Sequence, residues 1–497
     1  MKLRKLLTDV DYELIQGDLE LEIKDIAYDS RKVSRDVAFV CIKGFRVDGH
    51  DYIDAAIKLG CKCLFVMEDV EVPSDVTVIK LSDTRVDLSK LSRTLFDYPD
   101  KEITTVAITG TKGKTTTSWM IKKIIEDNGW SCGLIGTIGV FYADKYFHTM
   151  NTSPESYDVF KYMRDMLDNG IKYVVMEISS QSLKLKRWVN VVFDYAVFTN
   201  LSLDHVGKDE HESFEDYKYC KSLLFKQCKV GIFNIDDEYS SYMMENTNCS
   251  IYTFGKNKEA TYRLLDCRSV LNDKFIGIEI KTDGAVKDDF KVSIPGNFNA
   301  YNAIAAISIA NLLNIDTKVI KKSLEDVNVK GRLEKVTVSN KFKVLIDYAY
   351  SGIAMENVLK TIKETSPKRI VTVFGCGGNR SRQRRYDTGQ VSGTYANLSI
   401  LTADNPRYED NNKIIDDILI GMKKTDGEYI IIPDRREAIK YSICNAQEGD
   451  VILILGKGHE DYQEIEGVRY PFDERVVIKE ILSSLSDEEV QHLGIIR

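Results

Sequence analysis

Short apolar runs, separated by polar stretches of helix length, recur from one end of the chain to the other. In the first hundred residues the runs Val37-Ala38-Phe39-Val40-Cys41-Ile42 and Cys63-Leu64-Phe65-Val66-Met67 read as buried strands, with a helix between them near Tyr52–Leu59. A turn at Tyr98-Pro99-Asp100 precedes a new strand, Thr104–Thr109. Further buried strands are expected at Tyr173–Met176, Tyr195–Thr199 and Gly231–Asn234, followed by a strongly apolar helix near Ala300–Leu313. After Gly331-Arg332 a third series begins, at Val344–Ile346, Ile370–Phe374, Leu398–Thr402 and Val451–Leu455. Strands that are apolar throughout and alternate with helices favour parallel sheets covered on both faces. The breaks divide the chain into expected domains at 1–98, 99–330 and 331–497.

Composition narrows the class. At about 150 residues per domain, a chain of 497 residues accommodates about three domains, in agreement with the pattern. Hydrophobic residues make up 43% and charged residues 29%, a globular balance. The net charge, 68 − 76 = −8, argues against a broad cationic face for nucleic acid while leaving room for a local basic pocket. No apolar stretch approaches the about 20 residues that span a bilayer, and Met1–Asp9 lacks the apolar core of a secretory signal. No membrane insertion is therefore expected. The ten cysteines form no Cys-x-x-Cys and no zinc spacing, so reduced thiols in a cytoplasmic protein are expected. With only six histidines, any catalytic metal should be a hard cation on oxygen ligands.

The sharpest local signal is Ile108-Thr109-Gly110-Thr111-Lys112-Gly113-Lys114-Thr115-Thr116-Thr117, placed between a strand and a helix expected at Trp119–Glu126. Glycines let the backbone fold around phosphates, and N–H groups at the helix start face the anion. Lys114 is expected to reach the outer phosphates and the Thr115 hydroxyl to bind magnesium. The longer form of the motif needs a glycine at 108; this is the shorter Gly-x-x-Gly-Lys-Thr variant. ATP binding is the expectation, although the loop alone does not separate a hydrolase, a kinase and a ligase.

Further motifs stand in a fixed order: Asn151-Thr152-Ser153-Pro154, Met176-Glu177-Ile178-Ser179-Ser180, Thr199-Asn200-Leu201-Ser202-Leu203-Asp204-His205 and Gly296-Asn297-Phe298-Asn299-Ala300-Tyr301-Asn302. With the phosphate loop, this series closely resembles the Mur ligases, ATP-dependent amide-forming enzymes of peptidoglycan precursor synthesis. Within them it looks most like the UDP-N-acetylmuramoyl-tripeptide synthetases. The resemblance extends to Asp29-Ser30-Arg31, Gly44 and Asp48-Gly49-His50 at one end. At the other it extends to Phe374–Gly378, Asp404-Asn405-Pro406-Arg407 and Gly456-Lys457-Gly458-His459-Glu460. It implies an α/β fold of three domains. A central P-loop parallel-sheet ATPase domain would lie between an α/β domain for a UDP-sugar substrate and a Rossmann-like domain for an amino acid.

The resemblance also implies roles. ATP would phosphorylate a carboxylate to an acyl phosphate, which an amine then attacks; cations and positioned donors must shield the converging anions. Lys114, Glu177, His205 and Lys221 become the catalytic candidates. Thr115, Glu177, His205 and Lys221, the last as a carbamate, become the magnesium set. Gly110 to Thr116, Asn299, Asn302, Arg332 and Asp347 would bind ATP. Ser30, Asn151, Thr152, Ser153, Ser179, Gln181 and Arg187 would contact the UDP-muramoyl dipeptide. Arg380, Asp404, Asn405, Pro406, Arg407, Gly456 and Glu460 would hold the amino acid. An arginine in Asp-Asn-Pro-Arg accompanies meso-diaminopimelate in this family, because its guanidinium can clamp the second carboxylate. The partners implied are these small molecules, with no nucleic acid and a monomeric enzyme.

Three departures stand out. Tyr350 and Gly352 replace the histidine and proline of Asp-Tyr-Ala-His-Thr-Pro, Gln181 replaces the histidine of Ser-Ser-His, and Asn379 replaces the aspartate of Gly-Gly-Asp-Arg. A paralogue with another acceptor, such as L-lysine, or another acyl donor is the alternative. A non-catalytic nucleotide-binding descendant is opposed by Lys114, Glu177 and Lys221. Arg380, Arg382, Arg384 and Arg385 form one dense basic cluster, read as an anion-binding loop because no aromatics interleave it.

Overall fold

A computed structural model describes the chain except for residues 45–46, 204–206, 208–210, 246, 273–274 and 497. It divides into two compact units, residues 1–263 with 305–316, and residues 264–304 with 317–497.

The first unit contains two sheets. In the N-terminal one, strands 12–16, 77–81, 63–66, 37–40 and 25–27 lie in that order, and only the edge strand 12–16 runs antiparallel. The other sheet has a parallel core ordered 250–255, 228–234, 193–198, 104–109, 173–177 and 132–136. Antiparallel strands 139–142 and 145–147 extend it beyond 132–136. The core strands are apolar along their whole length because helices cover both faces. Ala107, Val174, Met176, Ala196 and Phe198 are buried among Phe160, Met163 and Phe225. Strand Thr104–Thr109 lies in the middle, with Phe193–Phe198 on one side and Tyr173–Glu177 on the other. Open parallel sheets bind ligands at the carboxyl ends of their strands. Thr109, Glu177 and Phe198 end there together, and the first unit's candidate residues other than Ser30 lie at or after these strand ends.

In the second unit a six-stranded sheet is ordered 334–336, 343–347, 450–455, 369–374, 398–401 and 428–431, with only the edge strand 334–336 antiparallel. Val371, Val373, Ile400, Ile452 and Ile454 pack under Ala438, Ile439, Ile443, Val477 and Ile478 of helices Arg435–Cys444 and Glu474–Ser484. Antiparallel strands 276–284 and 289–292 also belong to this unit. They alternate polar with apolar positions and depart from the parallel pattern expected there.

One ion pair is buried at the carboxyl edge of this second sheet. Arg435 donates to Glu474 Oε1 at 2.8 and 2.6 Å, to Ala403 O at 3.0 Å and to Leu455 O at 2.9 Å. Neither side chain reaches solvent. A guanidinium buried at this depth is tolerated because its charge and its donors are matched. It ties together the ends of strands Leu398–Leu401 and Asp450–Leu455, just before Asp404 and Gly456.

Candidate active site

The phosphate loop leaves strand Thr104–Thr109 at Gly110 and enters helix Lys114–Asp127. Gly110 has φ +148°, and a Cβ there would lie 2.0 Å from Thr199 Oγ1, so only glycine closes the turn. The helix starts five residues before the expected Trp119, at Lys114 itself. Thr199 and Asn200 staple the loop: Thr199 Oγ1 donates to Lys112 O at 2.8 Å, and Lys112 N donates to Asn200 Oδ1 at 2.9 Å. Two lysines converge on one carbonyl. Lys114 Nζ donates to Gly110 O at 2.8 Å and Thr111 O at 3.1 Å, while Lys221 Nζ donates to Gly110 O at 2.9 Å. Ser213 caps the helix Phe214–Ser222 that carries Lys221, whose ammonium is buried 4.6 Å from the centre of the Tyr217 ring.

Glu177 is buried at the end of its strand. It accepts from Thr115 Oγ1 at 2.8 Å, Thr137 N at 3.0 Å and Thr137 Oγ1 at 2.9 Å. A Cβ on Gly136 would lie 2.2 Å from its carboxylate, so the small residue makes room. Among the described residues, the donors to this carboxylate are neutral hydroxyl and amide groups. A buried anion so placed wants a cation, and the Thr115 hydroxyl with the Glu177 carboxylate is the hard-oxygen set that fits magnesium. Thr137 has no motif around it, and the sequence reading missed it.

The segment Asn151-Thr152-Ser153 meets the same strand end. Ser153 Oγ donates to Glu177 O at 2.8 Å and accepts from Ser179 N at 3.0 Å, and the Thr152 and Thr137 hydroxyls lie 3.1 Å apart. Arg187 joins them through Ser153 O at 2.7 Å and Glu155 at 3.0 Å. Gln181 stands in the helix Ser180–Lys184, while Ser30 belongs to the turn Ser30–Lys32 of the N-terminal sheet. Asn151 is exposed next to these residues, and His205 lies outside the described residues.

A second histidine, His211, went unnoticed because nothing in the sequence marks its partners. It is buried, with Nε2 2.8 Å from Ser180 Oγ and Nδ1 2.9 Å from Asp216 Oδ2. Lys184 Nζ also reaches Asp216, at 2.6 Å. This chain of contacts joins the start of helix Ser180–Lys184 to the helix of Lys221. Burial pushes the His211 imidazole below its ordinary value, against the pull of Asp216. Burial acts to raise the Asp216 carboxyl, but Lys184 and His211 outweigh it and hold it at about 2. A neutral His211 therefore contributes stability that is full above the ordinary value of 6.5 and is lost as pH falls through the lower folded one. As pH drops below 6.5, the unfolding temperature of the wild type should fall more steeply than that of His211→Gln. Parallel curves in a pH series of thermal melts would show that His211 carries no such linkage.

The second unit holds a polar cavity of about 200 Å³, lined by residues that include Tyr348, Tyr350, Arg380, Arg384, Arg407, Asp404 and Glu460. Asn405 and Gly456 belong to the same lining, and Pro406 carries the chain from Asn405 to Arg407. Arg407 has a left-handed backbone, φ +53°, and its Nη1 donates to Gly378 O at 2.8 Å. Behind Asp404 and Glu460 sits Lys457, fully buried, 3.1 Å from Asn405 Oδ1 and 3.3 Å from Glu460 Oε2. Burial raises the Glu460 carboxyl, while Lys457 opposes the shift. Lys457 lies inside a quoted motif, yet a lysine without solvent access leaves no trace in a sequence. Tyr350, the departure from the histidine pattern, packs edge-on to Tyr348 with ring centres 5.1 Å apart and lies under the Arg384 guanidinium at 5.2 Å.

The basic cluster needs correction. Arg382–Tyr395 is a helix, not a loop. Arg385 is buried and bound to Asp417 at 3.0 Å and Glu409 at 2.8 Å, so it braces the fold and is not free for an anion. Arg380 and Arg384 face the cavity.

Among the nucleotide candidates of this unit, Asn299 and Asn302 are buried in the first turn of helix Asn299–Leu312. Asn299 Nδ2 donates to Pro295 O and Asn302 Nδ2 to Asn299 Oδ1, both at 2.8 Å. Asp347 accepts from Leu333 N at 2.7 Å and Ala349 N at 2.8 Å; burial raises its carboxyl and Arg332 counters. The Arg332 guanidinium lies 5.3 Å from the Tyr348 ring centre.

Residues 108–310 match the Mur ligase middle domain, residues 331–458 the glutamate ligase domain of Mur ligases, and residues 22–93 the Mur ligase family catalytic domain. A UDP-N-acetylmuramoyl-L-alanyl-D-glutamate--2,6-diaminopimelate ligase of Caldanaerobacter subterraneus is 41% identical over 484 residues, covering 97% of this chain and 99% of that protein. Its counterpart of the same name in Clostridium perfringens is 40% identical over 489 residues, with 97% and 99% covered. A solved structure of a ligase with this name is 27% identical, with a TM-score of 0.72 over 97% of this chain and 99% of that one. A D-alanyl-D-alanyl-adding ligase from Acinetobacter baumannii, 17% identical with a TM-score of 0.61 over 97% of both chains, shares the fold.

Proposed function

The chain belongs to the Mur ligase family of ATP-dependent ligases, and from this we propose that it joins meso-diaminopimelate to UDP-N-acetylmuramoyl-L-alanyl-D-glutamate in peptidoglycan precursor synthesis. The observation that carries the choice of acceptor is the cavity of the second unit, where three arginines face two carboxylates. A molecule bearing two carboxylates and two ammonium groups can engage two of the guanidinium groups and both carboxylates; one with a single carboxylate engages fewer of the guanidinium groups.

The substrate's glutamyl carboxylate attacks the γ-phosphorus of ATP, releasing ADP and forming an acyl phosphate. The acceptor's amine then attacks the acyl carbon, phosphate leaves with the C–O bond pair, and the amine loses a proton. Lys114 and the loop amides from Gly110 to Thr116 orient the phosphates and offset the charge that builds on them. Thr115 and Glu177 would hold magnesium, which when bound neutralises phosphate charge. Lys221 is proposed to carry a carbamate that adds an oxygen ligand to this set; it is buried with its Nζ on the same loop, 2.9 Å from Gly110 O. Ser30, Asn151, Thr152, Ser153, Ser179, Gln181 and Arg187 are assigned to the UDP-sugar substrate. Asn299, Asn302, Arg332 and Asp347 are assigned to the nucleotide. Residues 1–98, 99–330 and 331–497 then divide the three ligands among them. We take the enzyme to act as a cytoplasmic monomer; among the described residues no helix is long and apolar enough to cross a membrane.

Tyr350 in the acceptor cavity favours one competing reading, a ligase with a different amino acid. A panel of amino acids with UDP-muramoyl-alanyl-glutamate and ATP, scored by product mass, separates the two. The expected product carries diaminopimelate, with one ADP released per bond. A product formed only with lysine overturns the assignment.

A further inference from the structure

Beyond the residue matches of the family, which end at 458, the chain forms a two-stranded ribbon from Tyr462–Ile465 and Val468–Pro471. The ribbon is bonded along the tetrapeptide Asp404–Arg407. Gln463 Nε2 donates to Asp404 O at 2.8 Å, Glu464 N to Asn405 Oδ1 at 2.9 Å, Arg407 N to Glu464 O at 3.0 Å and Glu466 N to Arg407 O at 2.6 Å. The last two bonds hold Arg407 by its own N–H and its own C=O, on either side of its Cα. They explain how a non-glycine residue stays in the left-handed region, which costs about 1–3 kcal/mol without support.

The ribbon also reaches the side chain. Glu464 Oε2 accepts from Arg407 Nε at 3.3 Å, and both side chains are about one-fifth exposed, at 21% and 22%. A guanidinium can grip a carboxylate side-on, through Nε and one Nη, or end-on, through both Nη atoms. Here Nε points to Glu464 and one Nη1 hydrogen to Gly378 O. The side-on edge is taken.

We propose that Glu464 is a specificity-setting positioning residue: it fixes Arg407 so that the guanidinium offers the acceptor's distal carboxylate only its end-on pair. This rests on the acceptor assigned above and deepens it. The carboxylate of Glu464 is then a resident stand-in on one edge of Arg407. A substrate carboxylate can enter in one orientation, and the reacting amine at the far end of the acceptor is placed accordingly.

Steady-state kinetics of the full-length enzyme with Glu464→Ala and Glu464→Gln test this, varying diaminopimelate at saturating ATP and UDP-muramoyl dipeptide. Glu464→Ala should raise KM for diaminopimelate about tenfold, as expected for losing one charge-assisted contact, with kcat and KM for ATP nearly unchanged. Glu464→Gln keeps an oxygen for Nε–H and should recover part of the loss. A Glu464→Ala enzyme with unchanged KM overturns the inference. So does one in which kcat and the KM values of all three substrates worsen together, which marks general damage to the fold. A wild-type enzyme that fails to ligate diaminopimelate overturns the acceptor assignment itself, an outcome visible before any variant is made.

Discussion

Lys114→Ala is expected to abolish ligation while leaving the fold intact. The ammonium of Lys114 lies over the loop, with the carbonyls of Gly110 and Thr111 among its partners, at the start of the helix that faces a bound phosphate. Removing one preorganised donor from a developing anion costs about 10²–10³ in kcat, and a full positive charge in a loop of phosphate contacts should cost at least that. Lys114 opens helix Lys114–Asp127, where alanine is the better helix former, and the turn itself is fixed by Gly110 and the Thr199–Asn200 staple. The measurement pairs product formation with a thermal melt. Ligation within tenfold of the wild type in a variant of unchanged unfolding temperature would remove Lys114 from the chemistry. The same reasoning makes Glu177 the next position to test, since its carboxylate shares Thr115 with the loop.

Many strands apolar on both faces announced themselves, although Cys132–Gly136 and Thr77–Leu81 did not. Thr104–Thr109, Tyr173–Glu177 and the parallel strands at 343–347, 369–374, 398–401 and 450–455 all stand where short, largely apolar runs pointed. Amphipathic elements did not. Strands 276–284 and 289–292 alternate polar with apolar side chains, and the sequence offers no run to detect. The helix start was read late for a physical reason. Lys114-Thr115-Thr116-Thr117-Ser118 is polar and β-branched, poor helix sequence, and the turn is formed because the loop and Glu177 hold it. At the site, residues in dense motifs were legible. Residues whose role depends on distant partners were not: His211 needs Ser180, 31 positions away, and Arg385 needs Asp417, 32 positions away. Read alone, Arg385 looked like an anion ligand; its carboxylate partners Asp417 and Glu409 turn it into a brace.

The second large effect is expected at Arg407. Replacing it with alanine should raise KM for diaminopimelate about 10- to 150-fold, the range for hydrogen bonds to a charged group at about 1.5–3 kcal/mol. KM for ATP should hardly move. A general loss of stability is the competing explanation, because Arg407 also donates to Gly378 O and pairs with Glu464. Three observations separate the two. The ribbon's grip on the tetrapeptide is made by backbone atoms and by Asn405 and Gln463, which the substitution leaves in place. Alanine tolerates the left-handed backbone of residue 407 no worse than arginine does, since both carry a Cβ. Arg407→Lys keeps the charge but loses the fork, so a clamp predicts that lysine rescues KM only slightly, whereas a purely electrostatic role predicts near-complete rescue. Discrimination gives the sharpest reading. An acceptor with a single carboxylate, such as lysine, has nothing for Arg407 to hold, so its poor kcat/KM should be little changed by Arg407→Ala while that for diaminopimelate collapses. If both acceptors lose equally, Arg407 supports the cavity and does not select its occupant.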